Sequence, residues 1–155
     1  MPKILLRRDY QGWPRIDKTV CQAVLATLKS MDRSKKVEVA ILLTNDATIR
    51  TLNQQYRHRD QATNVLSFAM EEGDVLLKNI KEHRLLGDVV LAYETVDREA
   101  KAYHITLKHH VTHLVVHGVL HLLGYDHERS PAEAKRQESK EIAILAKLGI
   151  QNPYH

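Results

Sequence analysis

Apolar positions along this chain change period several times, and each change marks an element. Lys3 to Arg8, KILLRR, reads as a short first strand. From Ile16 to Met31 the residues Ile16, Val20, Val24, Leu25 and Leu28 fall at helical spacing, and Asp17 near the start suits the positive end of a helix. KVEVAILLT at 36–44 alternates and then turns continuously apolar, as a strand buried on one or both faces does. Asn45-Asp46 offers an N-cap for a helix running through Ile49, Leu52 and Gln55. TNVLSFAM at 63–70 predicts a third strand and LLGDVVLAYE at 85–94 a fourth. The polar, irregular stretch EEGDVLLKNIKEHR between them is the expected mobile connection.

Beyond this point only helical periods remain. Helices are predicted over Glu94 to His104 and Thr106 to Leu123, with His104-Ile105 at the junction. Ser130 as N-cap, Pro131 at the first helical position and Glu133 in the first turn then open a final helix ending at Gly149. Strands interleaved with helices, followed by helices alone, predict an α/β (α+β) fold with one sheet of about four strands packed with about five helices. Strand order is not contained in this pattern. With 155 residues and 43% apolar content, residues 1–155 are expected to form a single domain.

Composition narrows the setting. Cys21 is the only cysteine, so no intramolecular disulfide can form and a reducing compartment fits. The apolar run Ile4-Leu5-Leu6 is far too short for a signal peptide or a membrane span, which makes a soluble, cytoplasmic protein with no membrane role the expectation. A net charge of +4 and a pI near 9.2 are compatible with a polyanionic partner, but ordinary basic domains share them.

The histidines change the picture more. Seven of the ten lie between His104 and His127, and His109, His113, His117 and His121 recur at intervals of four, a stripe along one helix face. Any neighbouring pair offers a metal clamp, and a third ligand selects among them. Gly124, just past the helix, permits the chain to reverse and bring His127 to an ion held by His117 and His121. HxxxHxxGxxH matches the three-histidine zinc signature of metzincin proteases, whose sites keep one position open. His109, His110 and His113 read as ordinary core or surface residues. The zincin base position, directly after the first histidine, is Gly118, so a zinc metalloprotease is retained only as a lesser alternative. A mid-helix glycine also signals close approach of a substrate or a packed element.

HGVLHLLGYDH at 117–127 resembles the histidine signature of the YbeY family of bacterial endoribonucleases, the rRNA maturation factors. NQQYRHRDQATNVLSFAMEEG at 53–73 resembles that family's tyrosine-arginine pair and following strand, and Gly87-Asp88 its strand before the helical half. The resemblance runs from about Val37 to the final helix, and Ala69 stands where the family usually has proline. It implies a zinc-dependent nuclease cleaving single-stranded RNA in ribosomal RNA maturation, especially at the 16S rRNA 3′ end, and in ribosome quality control. It also implies one zinc per chain on His117, His121 and His127, at the C-terminal helical half, and a functionally important Arg57. Ribosomal RNA, small ribosomal subunit proteins and the GTPase Era are the implied partners.

The chemistry is coherent on its own terms. Zinc can supply hydroxide near neutral pH and polarise phosphate, while an arginine adds bidentate contacts to the charge that builds up. Arg57 and His117 are therefore the expected catalytic residues, and Tyr56, Arg57 and Arg59 the expected RNA-binding group. Two candidates for the nucleophile stand open, zinc-bound water and a ribose 2′-hydroxyl, and no residue presents itself as general base. Asp126 either orients a histidine ring or caps the turn, with the first preferred. A reading from another class is a non-catalytic RNA-binding assembly factor whose zinc staples the C-terminal helices.

Overall fold

Residues 2–32, 36–70 and 84–154 are described by the computed structural model. Their elements run β1 (Lys3–Arg8), α1 (Asp17–Ser30), β2 (Val37–Thr44), α2 (Asp46–Arg57), β3 (Val65–Ala69), β4 (Arg84–Ala92), α3 (Tyr93–Ala102), α4 (Leu107–Leu122) and α5 (Pro131–Lys147). The four strands form one mixed sheet in the order β1-β2-β4-β3. β1, β2 and β4 are parallel, and β3 pairs antiparallel with β4, placing Ser67 opposite Val89 and Ala69 opposite Gly87. Of the expected mobile connection, 71–84, residues 71–83 lie outside the described residues, and Arg84 is instead the first residue of β4.

The double character of the 36–44 stretch is explained by cover on both faces. Val37, Val39, Ile41 and Leu43 bury one face of β2 in the main core, with Val20, Ala23, Val24 and Leu28 of α1 and much of α4. On the opposite face α2 adds Ile49, which packs with Val90 and Ala92 and with the half-buried Leu42, Leu66 and Phe68. Each fully buried valine, leucine or isoleucine among these stabilises the fold by about 1.5–3 kcal/mol relative to leaving it in water. α4 is more enclosed than an amphipathic surface helix. It packs on α1, α3, α5, β3 and β4, and Val111, Leu114, Val115, Val116, Val119 and Leu120 are all buried.

Several element ends differ from the sequence reading by one or two residues, and two of these differences have a visible cause. β4 stops at Ala92 and α3 starts at Tyr93, without the two further strand residues that LLGDVVLAYE suggests. The cause is a long-range mutual cap. Asp46, at the start of α2, accepts from the Thr95 backbone N–H at 3.2 Å and its hydroxyl at 2.8 Å, while Glu94 Oε1 accepts from the Asp46 N–H at 2.9 Å. Each helix thus satisfies an orphan donor of the other. β3 is also shorter than predicted, beginning at Val65; Asn64 just before it is held by Glu99 of α3, to which its amide donates at 2.9 Å.

Candidate active site

α4 reaches the sheet more closely than a side chain at position 118 would permit. A Cβ there would stand 2.7 Å from Val89 Cγ1 and 3.0 Å from Ser67 Oγ, and the Ser67 hydroxyl donates to the Gly118 carbonyl at 3.3 Å. The packed element is therefore the sheet itself. A glutamate in this position would point at β3 and β4, which removes the geometric basis of the protease alternative. With Gly118 against the sheet, His117 and His121 face a cavity of about 100 Å³ that they line with His127, Glu128, Arg57, Val65, Leu66 and Ser67.

The turn after α4 carries the third histidine. Gly124 has φ +108°, its N–H bonds to the His121 carbonyl at 3.0 Å, and Tyr125 N–H returns to Leu120 at 3.1 Å. This reversal sets the His127 ring beside that of His117, with centroids 4.8 Å apart and planes inclined at 57°.

Arg57 arrives from α2, on the opposite face of the sheet. It is the last residue of α2, where His58 takes the left-handed conformation (φ 59°) that ends the helix. The Arg57 guanidinium donates to the Ser67 carbonyl at 2.7 Å and lies over the Phe68 ring, 4.9 Å from its centroid. Tyr56, 60% exposed, packs edge-on against the same ring at 5.3 Å. β3 therefore anchors Arg57 through one backbone and one aromatic contact, and brings a residue sixty positions earlier in the chain to the histidines. Arg59 does not follow. Beyond the left-handed turn its N–H bonds back to Asn53, and it is absent from the cavity wall among the described residues.

The donor set suits zinc in kind. Two imidazoles on one tetrahedral zinc have ring centroids about 5 Å apart, the spacing of His117 and His127. His121 has its pKa lowered by burial first, then by His117, His127 and Arg57, with Asp126 opposing, which favours the neutral, ligating form. Among the described residues, no three His, Cys, Asp or Glu side chains are already disposed to hold an ion; of the His117 and His127 side chains, His127 is the more exposed, at 42%.

The ring of His117 is oriented by a residue that sequence reasoning missed. Glu141 of α5 is wholly buried, and its Oε2 lies 2.8 Å from His117 Nδ1. Burial pushes its carboxyl up, but hydrogen bonds from His113, His117 and Tyr154 outweigh this and hold it at about 2. Gln137, one turn earlier and also wholly buried, donates to the His117 carbonyl at 3.2 Å. The sequence signal was available in principle: Gln137 and Glu141 sit four apart on the face of α5 that also carries Ile144 and Leu145. Asp126 takes the second of its two expected roles. Its Oδ1 accepts from the Glu128 N–H at 3.0 Å, capping the turn, and no hydrogen bond links it to a histidine ring among the described residues. His113 bonds to Glu141, His110 to Glu99 at 2.8 Å, and His109 is exposed; none of the three lines the cavity.

Comparison with known proteins bears directly on this arrangement. A family model described as Endoribonuclease YbeY matches residues 8–149. The protein named Endoribonuclease YbeY from Magnetococcus marinus is 57% identical over 122 residues, covering 76% of this chain and 83% of that protein. Its namesake from Bradyrhizobium diazoefficiens is 44% identical over 156 residues, covering 99% of this chain and 85% of its own. A solution structure of a protein from Thermotoga maritima superposes with a TM-score of 0.57 over 98% of this chain and 99% of that one; at 23% identity it shows a shared fold. On the length of the family match and the identity of these relatives, the chain belongs to the YbeY endoribonuclease family.

Proposed function

We propose that this chain is a zinc-dependent endoribonuclease specific for single-stranded RNA, acting in the cytoplasm in ribosomal RNA maturation, at the 16S rRNA 3′ end, and in ribosome quality control. The observation that carries the reading is the meeting of Arg57 with His117, His121 and His127 around one small cavity, drawn from three separate parts of the fold. The names of the relatives supply the reaction class.

His117, His121 and His127 would hold the zinc. When bound, the metal supplies Lewis-acid polarisation of the phosphodiester and lowers the pKa of water. The chain's own groups do the rest. Arg57, fixed by Ser67 and Phe68, directs its remaining N–H donors at a phosphate in the cavity and stabilises the charge that grows on the non-bridging oxygens. Tyr56 offers an exposed ring to a flanking base, which an unpaired strand can present and a duplex cannot. Glu141 meets the His117 ring at Nδ1, and Gln137 donates to the backbone carbonyl of the same residue. Small ribosomal subunit proteins and the GTPase Era are the partners to test by co-purification.

Zinc content and RNA cleavage measured together test the proposal. His117→Ala, His121→Ala and His127→Ala should each lose the metal and the activity, while His109→Ala keeps both. Full zinc content in all three variants would overturn the ligand assignment. Correct trimming of a 3′-extended 16S rRNA on small subunits by the purified protein tests the substrate, and indifference to that RNA would refute it.

A further inference from the structure

Glu141 lies in α5 with no exposed surface, too deep to touch a substrate itself. Three groups meet it. Tyr154, in the segment that follows α5, donates its hydroxyl to Oε1 at 2.5 Å, and His113 Nε2 lies 2.8 Å from the same oxygen. Oε1 is thereby occupied, and Oε2 is left to His117 Nδ1 at 2.8 Å. A carboxylate has no hydrogen to donate and only accepts, so His117 meets it as Nδ1–H and keeps its lone pair on Nε2.

Gln137 presses the other way. Its Nε2 lies 3.2 Å from that same Nδ1. The His117 carbonyl, also 3.2 Å away, fixes the NH₂ of the amide on this side, because the amide oxygen would meet another oxygen there. An amide donor facing Nδ1 supports the opposite tautomer, in which Nε2 carries the proton and has no lone pair for a metal. Two buried side chains one turn apart on α5 thus favour opposite states of one ring. The charge-assisted bond at 2.8 Å is the stronger, and the amide still has the carbonyl as its acceptor.

We infer that Glu141, seated by Tyr154 and His113, is a positioning residue that selects the Nδ1–H tautomer of His117 over the one Gln137 would support. The segment after α5 is then part of the active centre. The use of this tautomer rests on the zinc reading of the cavity; its existence does not.

Long-range ¹⁵N spectra of histidine rings in metal-stripped protein, recorded at about pH 8, above the usual histidine range, read the tautomer directly. Wild type should show His117 protonated on Nδ1. Glu141→Gln should move it to Nε2–H and weaken zinc binding, measured against a chromogenic chelator, about 10–100-fold. Tyr154→Phe should move both in the same direction by less. Adding Gln137→Met to Glu141→Gln should return part of each, a rescue that a purely structural carboxylate would not show. An Nε2–H ring in wild type, or a Glu141→Gln ring still protonated on Nδ1, overturns the inference, and an unaltered Tyr154→Phe protein overturns the part given to Tyr154. If Glu141→Gln does not fold, the wild-type ring and Tyr154→Phe decide. Wild type that binds no zinc yet shows Nδ1–H sinks the zinc reading alone; zinc binding with a tautomer indifferent to Glu141 sinks this inference alone.

Discussion

Arg57 and Gly118 show how much a single position can hold. The Arg57 guanidinium is exposed at the end of α2, and its geometry depends on Ser67 and Phe68. Removing one such electrostatic donor costs about 10²–10³ in rate, so Arg57→Ala should retain zinc and stability yet cleave far more slowly, through kcat. Arg57→Lys should recover only part, since lysine lacks the planar fork. Single-turnover cleavage decides this, and a wild-type rate in a folded, zinc-loaded Arg57→Ala protein would leave YRHRD as a solvated helix end. Gly118→Ala tests the packing. Alanine favours a helix by about 1 kcal/mol over glycine, but overpacking against Val89 and Ser67 costs about 1–3 kcal/mol, so a net loss of roughly 1 kcal/mol in urea unfolding is expected. A gain in stability would mean that the sheet yields easily there.

Helix starts were easy to find where the cap lies next in sequence and hard where it lies across the fold. Asn45 accepts from the Thr48 N–H at 2.8 Å and Ser130 from the Glu133 N–H at 3.1 Å, both as their local sequence predicts. Asn45→Ala should cost about 1 kcal/mol in equilibrium unfolding. α3 starts at Tyr93, one residue before the Glu94 its local sequence predicts, because Asp46 caps it from 49 residues before Thr95 and no local pattern encodes that pairing. α4 brings a pH dependence. His110 is buried, bonds to Glu99, and has its pKa lowered, first by burial with His113 adding to it, against the pull of Glu99. The folded state therefore binds fewer protons than the unfolded one below the ordinary histidine value of 6.5. The stability His110 contributes is complete above that pH and is lost as pH falls through the folded value. Comparing unfolding midpoints at about pH 7.5 and 5.5, His110→Gln should show a smaller drop than wild type. Equal drops would assign the acid sensitivity elsewhere.

Across the whole molecule, the sequence exposed the ligand candidates because HxxxHxxGxxH is local, and Tyr56-Arg57 because the strand after it has a recognisable pattern. It could not show that β3 turns antiparallel at the sheet edge, which is the step that carries Arg57 to the histidines. For the Glu141 cluster it carries only the placing of Gln137 and Glu141 on the face of α5 with Ile144 and Leu145; that this face meets His117 of α4 emerges only in the folded state. Arg57 meets His117, His121 and His127 at the sheet edge, and the proposed reaction requires zinc on those histidines for RNA cleavage. Cleavage of a single-stranded RNA by chelator-stripped protein, before and after addition of one equivalent of zinc per chain, tests this most directly. Cleavage should disappear on stripping and return with zinc; undiminished cleavage by protein shown to be free of metal would refute the requirement for zinc.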